Sequence, residues 1–97
     1  MAADLVLHEK ITEESGNTIE MKIWRVPFSS HMPRGFKYSL VYIVNGERII
    51  GYDNAERRGD HRHFRDVEAK YDFRSVRQLV RDFLADVARY KERSHES

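Results

Sequence analysis

His61-Arg62-His63 is the part of this chain whose residue types and spacing could do chemistry. If the segment is extended, alternate residues share a face, so the two imidazoles project together with Cα atoms roughly 6–7 Å apart. Unperturbed histidine titrates near neutral pH, which suits paired general acid–base work. In RNA cleavage one imidazole would take the 2′-hydroxyl proton and the other would protonate the leaving oxygen. An arginine would then hold the charge on the phosphorane-like transition state. Arg62, Arg58 and Arg34 are the candidates for that cation. The same H-x-H would bind a metal if Asp53, Asp60 or Asp66 supplied a carboxylate ligand, although a lone H-x-H is a weak metal signal. A plainer reading makes both histidines hydrogen-bonded loop residues, with Asp53 and Asn54 capping turns through their own side chains.

The surroundings of the pair are dense in polar groups. From Gly51 to His63 the chain reads GYDNAERRGDHRH, which holds three acidic residues, three arginines, two histidines and an asparagine. Such a segment directly after a strand is where small α+β domains often carry function. Catalysis is assigned to His61, His63, Arg62 and Asp53, and ligand binding to Asn54, Arg34, Arg57, Arg58 and Tyr52. No metal and no cofactor is assigned. Tyr38, Tyr42, Tyr52 and Phe64 could form a base-stacking platform, but strand aromatics more often pack.

The elements that must position these residues are readable. Asp4–Ile11 and Thr18–Val26 are strands separated by a Glu13–Asn17 turn cluster, and Ile19, Met21 and Ile23 lie on one face of the second. Pro27–Gly35 is a loop. Phe36–Val44 and Glu47–Asp53 flank Asn45-Gly46, a type I′ hairpin signal. A regular two-residue turn pairs Tyr42 with Ile49, Leu40 with Gly51, Tyr38 with Asp53 and Val41 with Ile50. That register leaves apolar pairs on both faces, so the second face calls for a partner or a second copy. Ser75 followed by Gln78 is a capping-box pattern, and Val76, Leu79, Val80, Phe83, Leu84, Val87 and Tyr90 form a helical apolar stripe. Arg77, Gln78, Arg81, Asp82, Asp86 and Arg89 form the opposite, solvated face.

The expected architecture is α+β: a four- to five-stranded antiparallel meander, the fifth strand near His61–Arg65, with one long C-terminal helix packed on one face. Leu79, Phe83 and Val87 should meet either Leu40 and Tyr42 or Val41 and Ile43. Strand 3 begins where strand 4 ends, so the Pro27–Gly35 loop and the Asp53–His63 segment share one end of the sheet. His31, Arg34, Lys37, Asp53, Asn54, Arg57, Arg58, His61, Arg62 and His63 would gather there. Residues 1–97 form one domain, with 1–3 and 92–97 frayed.

Composition narrows the classes. Ninety-seven residues with 40% apolar and 34% charged content support one modest core. The net charge of +1 makes no global demand for nucleic acid or an anionic membrane. Twelve of the seventeen basic residues are Arg, which suits phosphate or carboxylate contact as well as a GC-rich codon bias. With no Cys there is no disulfide and no thiol nucleophile. The longest apolar run, Leu40–Val44, is too short to span a bilayer, and the protein is expected in the cytoplasm.

FKYSLVYIVNGERIIGYDNA at 36–55, GDHRH at 59–63 and the helix from Phe73 resemble the TumE-type proteins of bacterial toxin–antitoxin modules. Tyr52-Asp53-Asn54-Ala55 and His61-Arg62-His63 are the most specific parts of the resemblance, which covers about Phe36 to Tyr90. It implies a small type II toxin component with a cognate DNA-binding antitoxin that neutralises it by contact. Action on RNA or translation is an analogy with other small toxins, and a metal-independent ribonuclease is the matching enzyme class. Glu56-Arg57 stands where the family tends to carry His-Gly after Asp-Asn-Ala, which puts activity in question. Two other functions fit the residues: a non-catalytic binding or regulatory module that dimerises or binds a partner protein, and a metal-dependent hydrolase.

Overall fold

The computed structural model describes residues 3–30, 32–54 and 59–96. Six strands form one antiparallel sheet in sequence order: β1 (Asp4–Thr12), β2 (Thr18–Arg25), β3 (Phe36–Val44), β4 (Glu47–Asp53), β5 (His61–Phe64) and β6 (Val67–Lys70). Among the described residues a single helix, α1 (Val76–Glu96), follows and packs on one face. This is the α+β meander expected from the sequence, with one strand more. The extra strand has no strong sequence signal because the β5–β6 turn carries neither glycine nor asparagine. Phe64 pairs with Val67 across Arg65-Asp66, and Arg65 itself takes a positive φ of 53°. Glycine or asparagine would normally announce such a position.

Asn45 and Gly46 both have positive φ, as the hairpin signal requires. The register beyond that turn differs from the regular one. Val44 pairs with Glu47 and Ile43 with Arg48, after which a bulge shifts the ladder. Tyr42 then faces Ile50, Val41 faces Gly51, Leu40 faces Tyr52 and Ser39 faces Asp53. The extra residue is Ile49, and both Ile49 and Ile50 are buried. A strict alternation would send one isoleucine to solvent; the bulge turns both inward and leaves one residue unpaired in the ladder. The carbonyl of Ile49 instead accepts the Arg65 amide at 2.8 Å.

The core lies between the helix and the face carrying Ile19, Met21 and Ile23 of β2, Tyr38, Leu40 and Tyr42 of β3, and Ile49, Ile50 and Tyr52 of β4. Leu79, Phe83 and Val87 seal it from the helix, and Phe73 stacks on Tyr38 with ring centroids 5.5 Å apart. Of the two faces weighed for this packing, the Leu40–Tyr42 face is the buried one. The bulge also removes the Val41–Ile50 pair from the second face. Val41 and Ile43 remain there, half-buried, opposite Gly51 and Arg48.

Ser75 caps the helix: its Oγ accepts the Gln78 amide at 3.0 Å. The Gln78 side-chain amide donates along the helix to Asp82 at 2.7 Å. The backbone is still helical at Glu96, beyond the expected limit at Lys91, since nothing from Glu92 to His95 breaks a helix. Asp82 and Asp86, read as solvated, are structural. The Tyr71 hydroxyl donates to Asp82 at 2.6 Å and the Tyr52 hydroxyl to Asp86 at 2.5 Å. A third such pair joins Tyr38 to Asp60 at 2.6 Å. The Lys91 ammonium also pairs with Glu13, tying the helix to the β1–β2 turn.

Two predictions follow from this packing. Phe83→Ala should cost about 3–5 kcal/mol, measured by urea unfolding, because the ring is fully enclosed. The second concerns alkaline pH. Burial first, and then the hydrogen bond to an aspartate, hold the phenols of Tyr38, Tyr52 and Tyr71 above the ordinary value of 10.0. Unfolded phenols ionise at that value while folded ones stay neutral, so this stabilisation is complete below pH 10 and declines as pH rises toward the folded values. The urea midpoint should fall between pH 9 and pH 11, and less steeply in Tyr52→Phe.

Candidate functional site

Strand alternation sorts the functional candidates onto two faces. His61 pairs with Asp53 and Lys70, and His63 with Gly51 and Glu68, all on the face away from the helix. The expected shared orientation of the two imidazoles is observed. His63 Nε2 lies 3.2 Å from Asp53 Oδ2, and His63 Nδ1 lies 3.8 Å from Glu68 Oε1. His61 Nδ1 lies 3.2 Å from the other oxygen, Glu68 Oε2. The result is a continuous row: Asp53, His63, Glu68, His61. Glu68 was not foreseen because it belongs to β6, the strand without a turn signal.

Arg62 is not part of this row. Between two residues that face outward, it must face the helix side. Its guanidinium lies 5.7 Å from the centroid of the Tyr52 ring and 3.4 Å from Asp86 Oδ2. The expected role of Arg62 as cation beside the histidines is therefore corrected by the pleat. Arg48 takes the outward position instead. A Cβ added to Gly51 would lie 3.1 Å from Arg48 Cδ and 3.5 Å from its Nη1, so the Arg48 side chain lies over the bare glycine backbone. Gly51 is the residue opposite His63, and no described residue pairs with the Arg48 guanidinium. An arginine two residues after a tight turn reads as a solvated strand end, which is why spacing did not select it.

The Asp-Asn part of the motif divides its work. Asp53 serves the outward row. Asn54 is buried, and its amide continues the sheet ladder past the end of β4: Oδ1 accepts the Tyr38 amide at 2.9 Å and Nδ2 donates to the Phe36 carbonyl at 2.7 Å. Tyr52 is enclosed in the core, so its ring is not on offer to a ligand. Tyr38 and Tyr42 are enclosed too, and of the four suggested platform aromatics Phe64 alone is exposed.

The loop after β2 does approach the end of β4. Arg34, Met32, Asn54 and Asp60 line a cavity of about 480 Å³ there, but neither imidazole lines it. Asp60 points to Tyr38 on the helix side rather than toward the histidines. His31, Glu56, Arg57 and Arg58 lie outside the described residues. Among the described residues, no group of three or more His, Asp or Glu could hold a metal ion.

An antiparallel meander under one helix, with an outward row of histidines and carboxylates beside a Tyr-Asp-Asn segment, defines a small α+β domain. The family model described as Toxin TumE matches residues 2–91, and the chain belongs to that family. An antitoxin partner is implied in general by that membership. No curated protein and no solved structure matches the chain. Among the described residues no helix is long and apolar enough to cross a membrane.

Two substitutions test this geometry. Asn54→Ala leaves a buried amide and carbonyl without partners, and should cost on the order of 2–4 kcal/mol by chemical denaturation. Gly51→Ala should leave the melting temperature within a few degrees, since the crowded atom belongs to a flexible side chain. The Arg48 guanidinium should move, seen as a change in its Nε–H NMR resonance.

Proposed function

We propose that this chain is the toxin of a type II module and cleaves RNA without a metal, using the outward histidine row. The observation that carries the reading is the pair of imidazoles on one sheet face, each oriented by a carboxylate. His63 is assigned as the acid: Asp53 lies 3.2 Å from its Nε2, and its Nδ1, 3.8 Å from Glu68 Oε1, is beyond hydrogen-bond reach of that carboxylate. The wider 3.8 Å gap to Glu68 is the side where a leaving oxygen would insert. His61 is the base. It takes the 2′-hydroxyl proton as the 2′-oxygen bonds to phosphorus, while the phosphorus–O5′ bond breaks and O5′ takes a proton from His63. The Arg48 guanidinium would stabilise the charge on the phosphorane-like transition state.

A non-catalytic module that binds a partner protein is the competing reading. It is favoured by the low exposure of the imidazoles, 15% for His61 and 12% for His63. A histidine so covered could be a structural polar pair. A cytoplasmic setting and a cognate antitoxin that also binds DNA belong to the toxin reading.

Induced expression in a bacterium separates the two. The parent should arrest growth and leave RNA fragments with 5′-hydroxyl ends. His63→Ala should slow cleavage by roughly 10²–10⁴-fold, and Arg48→Ala should slow it with the fold intact. A His61→Ala, His63→Ala chain that arrests growth as the parent does would make the histidines bystanders.

A further inference from the structure

On the helix side of β5, opposite the histidine row, lies a cleft of about 180 Å³ walled by Arg62, Arg89 and Arg93. Ile50, Phe64 and Tyr90 also line it. Asp86 is the one acidic residue lining it, and its carboxylate is already occupied. Oδ2 accepts the Tyr52 hydroxyl and an Arg62 N–H, and Oδ1 accepts from Arg89. Each of those guanidiniums has five donors, so most remain available, and no described residue pairs with Arg93. Three guanidiniums against one engaged carboxylate leave the cleft strongly cationic.

The rim of the cleft narrows the choice of ligand. Phe64 is 46% exposed and Val67, its cross-strand partner, is 67% exposed. All four residues of β6 are exposed, and β6 is the last strand of the sheet, so no described strand pairs with its outer backbone edge. An open strand edge offers amides and carbonyls that an extended peptide can match. A nucleic acid offers no such backbone, and an aliphatic Val67 has no face for a base. Cationic wall, apolar rim and open edge together fit an extended polypeptide bearing both carboxylates and apolar side chains.

We infer that this cleft and the β6 edge seat an acidic, apolar-bearing segment of the antitoxin. The inference rests on the module reading above, in which a protein antitoxin binds this chain. The segment lies along β6, with apolar side chains on Phe64 and Val67 and carboxylates on Arg62, Arg89 and Arg93. Neutralisation would then act from the face opposite the histidine row.

The test uses the full chain and the antitoxin encoded beside it, both purified, with affinity measured by calorimetry at two salt concentrations. Arg93→Glu and Val67→Asp alter exposed positions on different elements and spare the Asp86 network. Together they should weaken the complex roughly 100-fold and flatten its salt dependence, with an unchanged melting temperature. In cells this variant should still arrest growth but no longer be rescued by the antitoxin. Unchanged affinity of the double variant overturns the cleft assignment alone. A parent chain that binds no antitoxin overturns the module reading together with it. Loss of binding to a single-stranded RNA, with antitoxin affinity intact, identifies nucleic acid as the occupant and also overturns the assignment.

Discussion

The bulge at Ile49 is the constraint from which the rest of the molecule follows. Side chains in a strand alternate, so one extra residue reverses the facing of everything beyond it. Without the bulge, Asp53 would oppose Tyr38 in the core and Tyr52 would look outward. With it, Tyr52 closes the core under the helix and Asp53 reaches the outward face beside His63. Both isoleucines are hidden as well. The local loss is small, because the Ile49 carbonyl is still satisfied by the Arg65 amide. One inserted residue thus serves the core, the helix contact and the histidine row together.

Three tyrosine–aspartate hydrogen bonds join the layers that the bulge aligns. Tyr52 and Tyr71 reach up to Asp86 and Asp82 on the helix, and Tyr38 reaches Asp60 before β5. Each gives a hydroxyl an acceptor, and among the described residues no buried side-chain polar atom is left without a partner. Asp86 also holds Arg62 and Arg89, which lets the same carboxylate organise the basic surface. The motif Tyr52-Asp53-Asn54 condenses this plan. Its first residue fixes the helix, its second orients an imidazole, and its third closes the gap between β4 and the start of β3.

Much of this plan was legible in the sequence, and the failures have physical reasons. The Asn45-Gly46 hairpin, the Ser75 cap and the apolar stripe through Phe83 were each visible because a local rule dictates them. So was the common face of His61 and His63, which needs only period-two alternation. The bulge was invisible, since no residue at 48–50 demands it; it arises from burying two adjacent isoleucines against a helix distant in sequence. Strand β6 was hidden by a turn of Arg and Asp, and with it went Glu68, the carboxylate that bridges the two histidines. Arg62 looked catalytic by adjacency in sequence, and the same alternation that aligned the histidines turns it to the opposite face.

The helix that closes the core follows all six strands in the chain, and this order matters while the protein is being made. The meander can zip strand by strand as it is synthesised, because each strand pairs with the one just completed. Its apolar face stays uncovered until the segment from Val76 onward has been added. At synthesis rates of about 5–20 residues per second, the helix alone takes roughly one to four seconds to appear. Tyr52 and Tyr71 have no acceptors on the helix until then, and the β1–β2 turn has no Lys91. Any sheet that forms before then would carry the histidine row on one face and an unsealed apolar surface on the other.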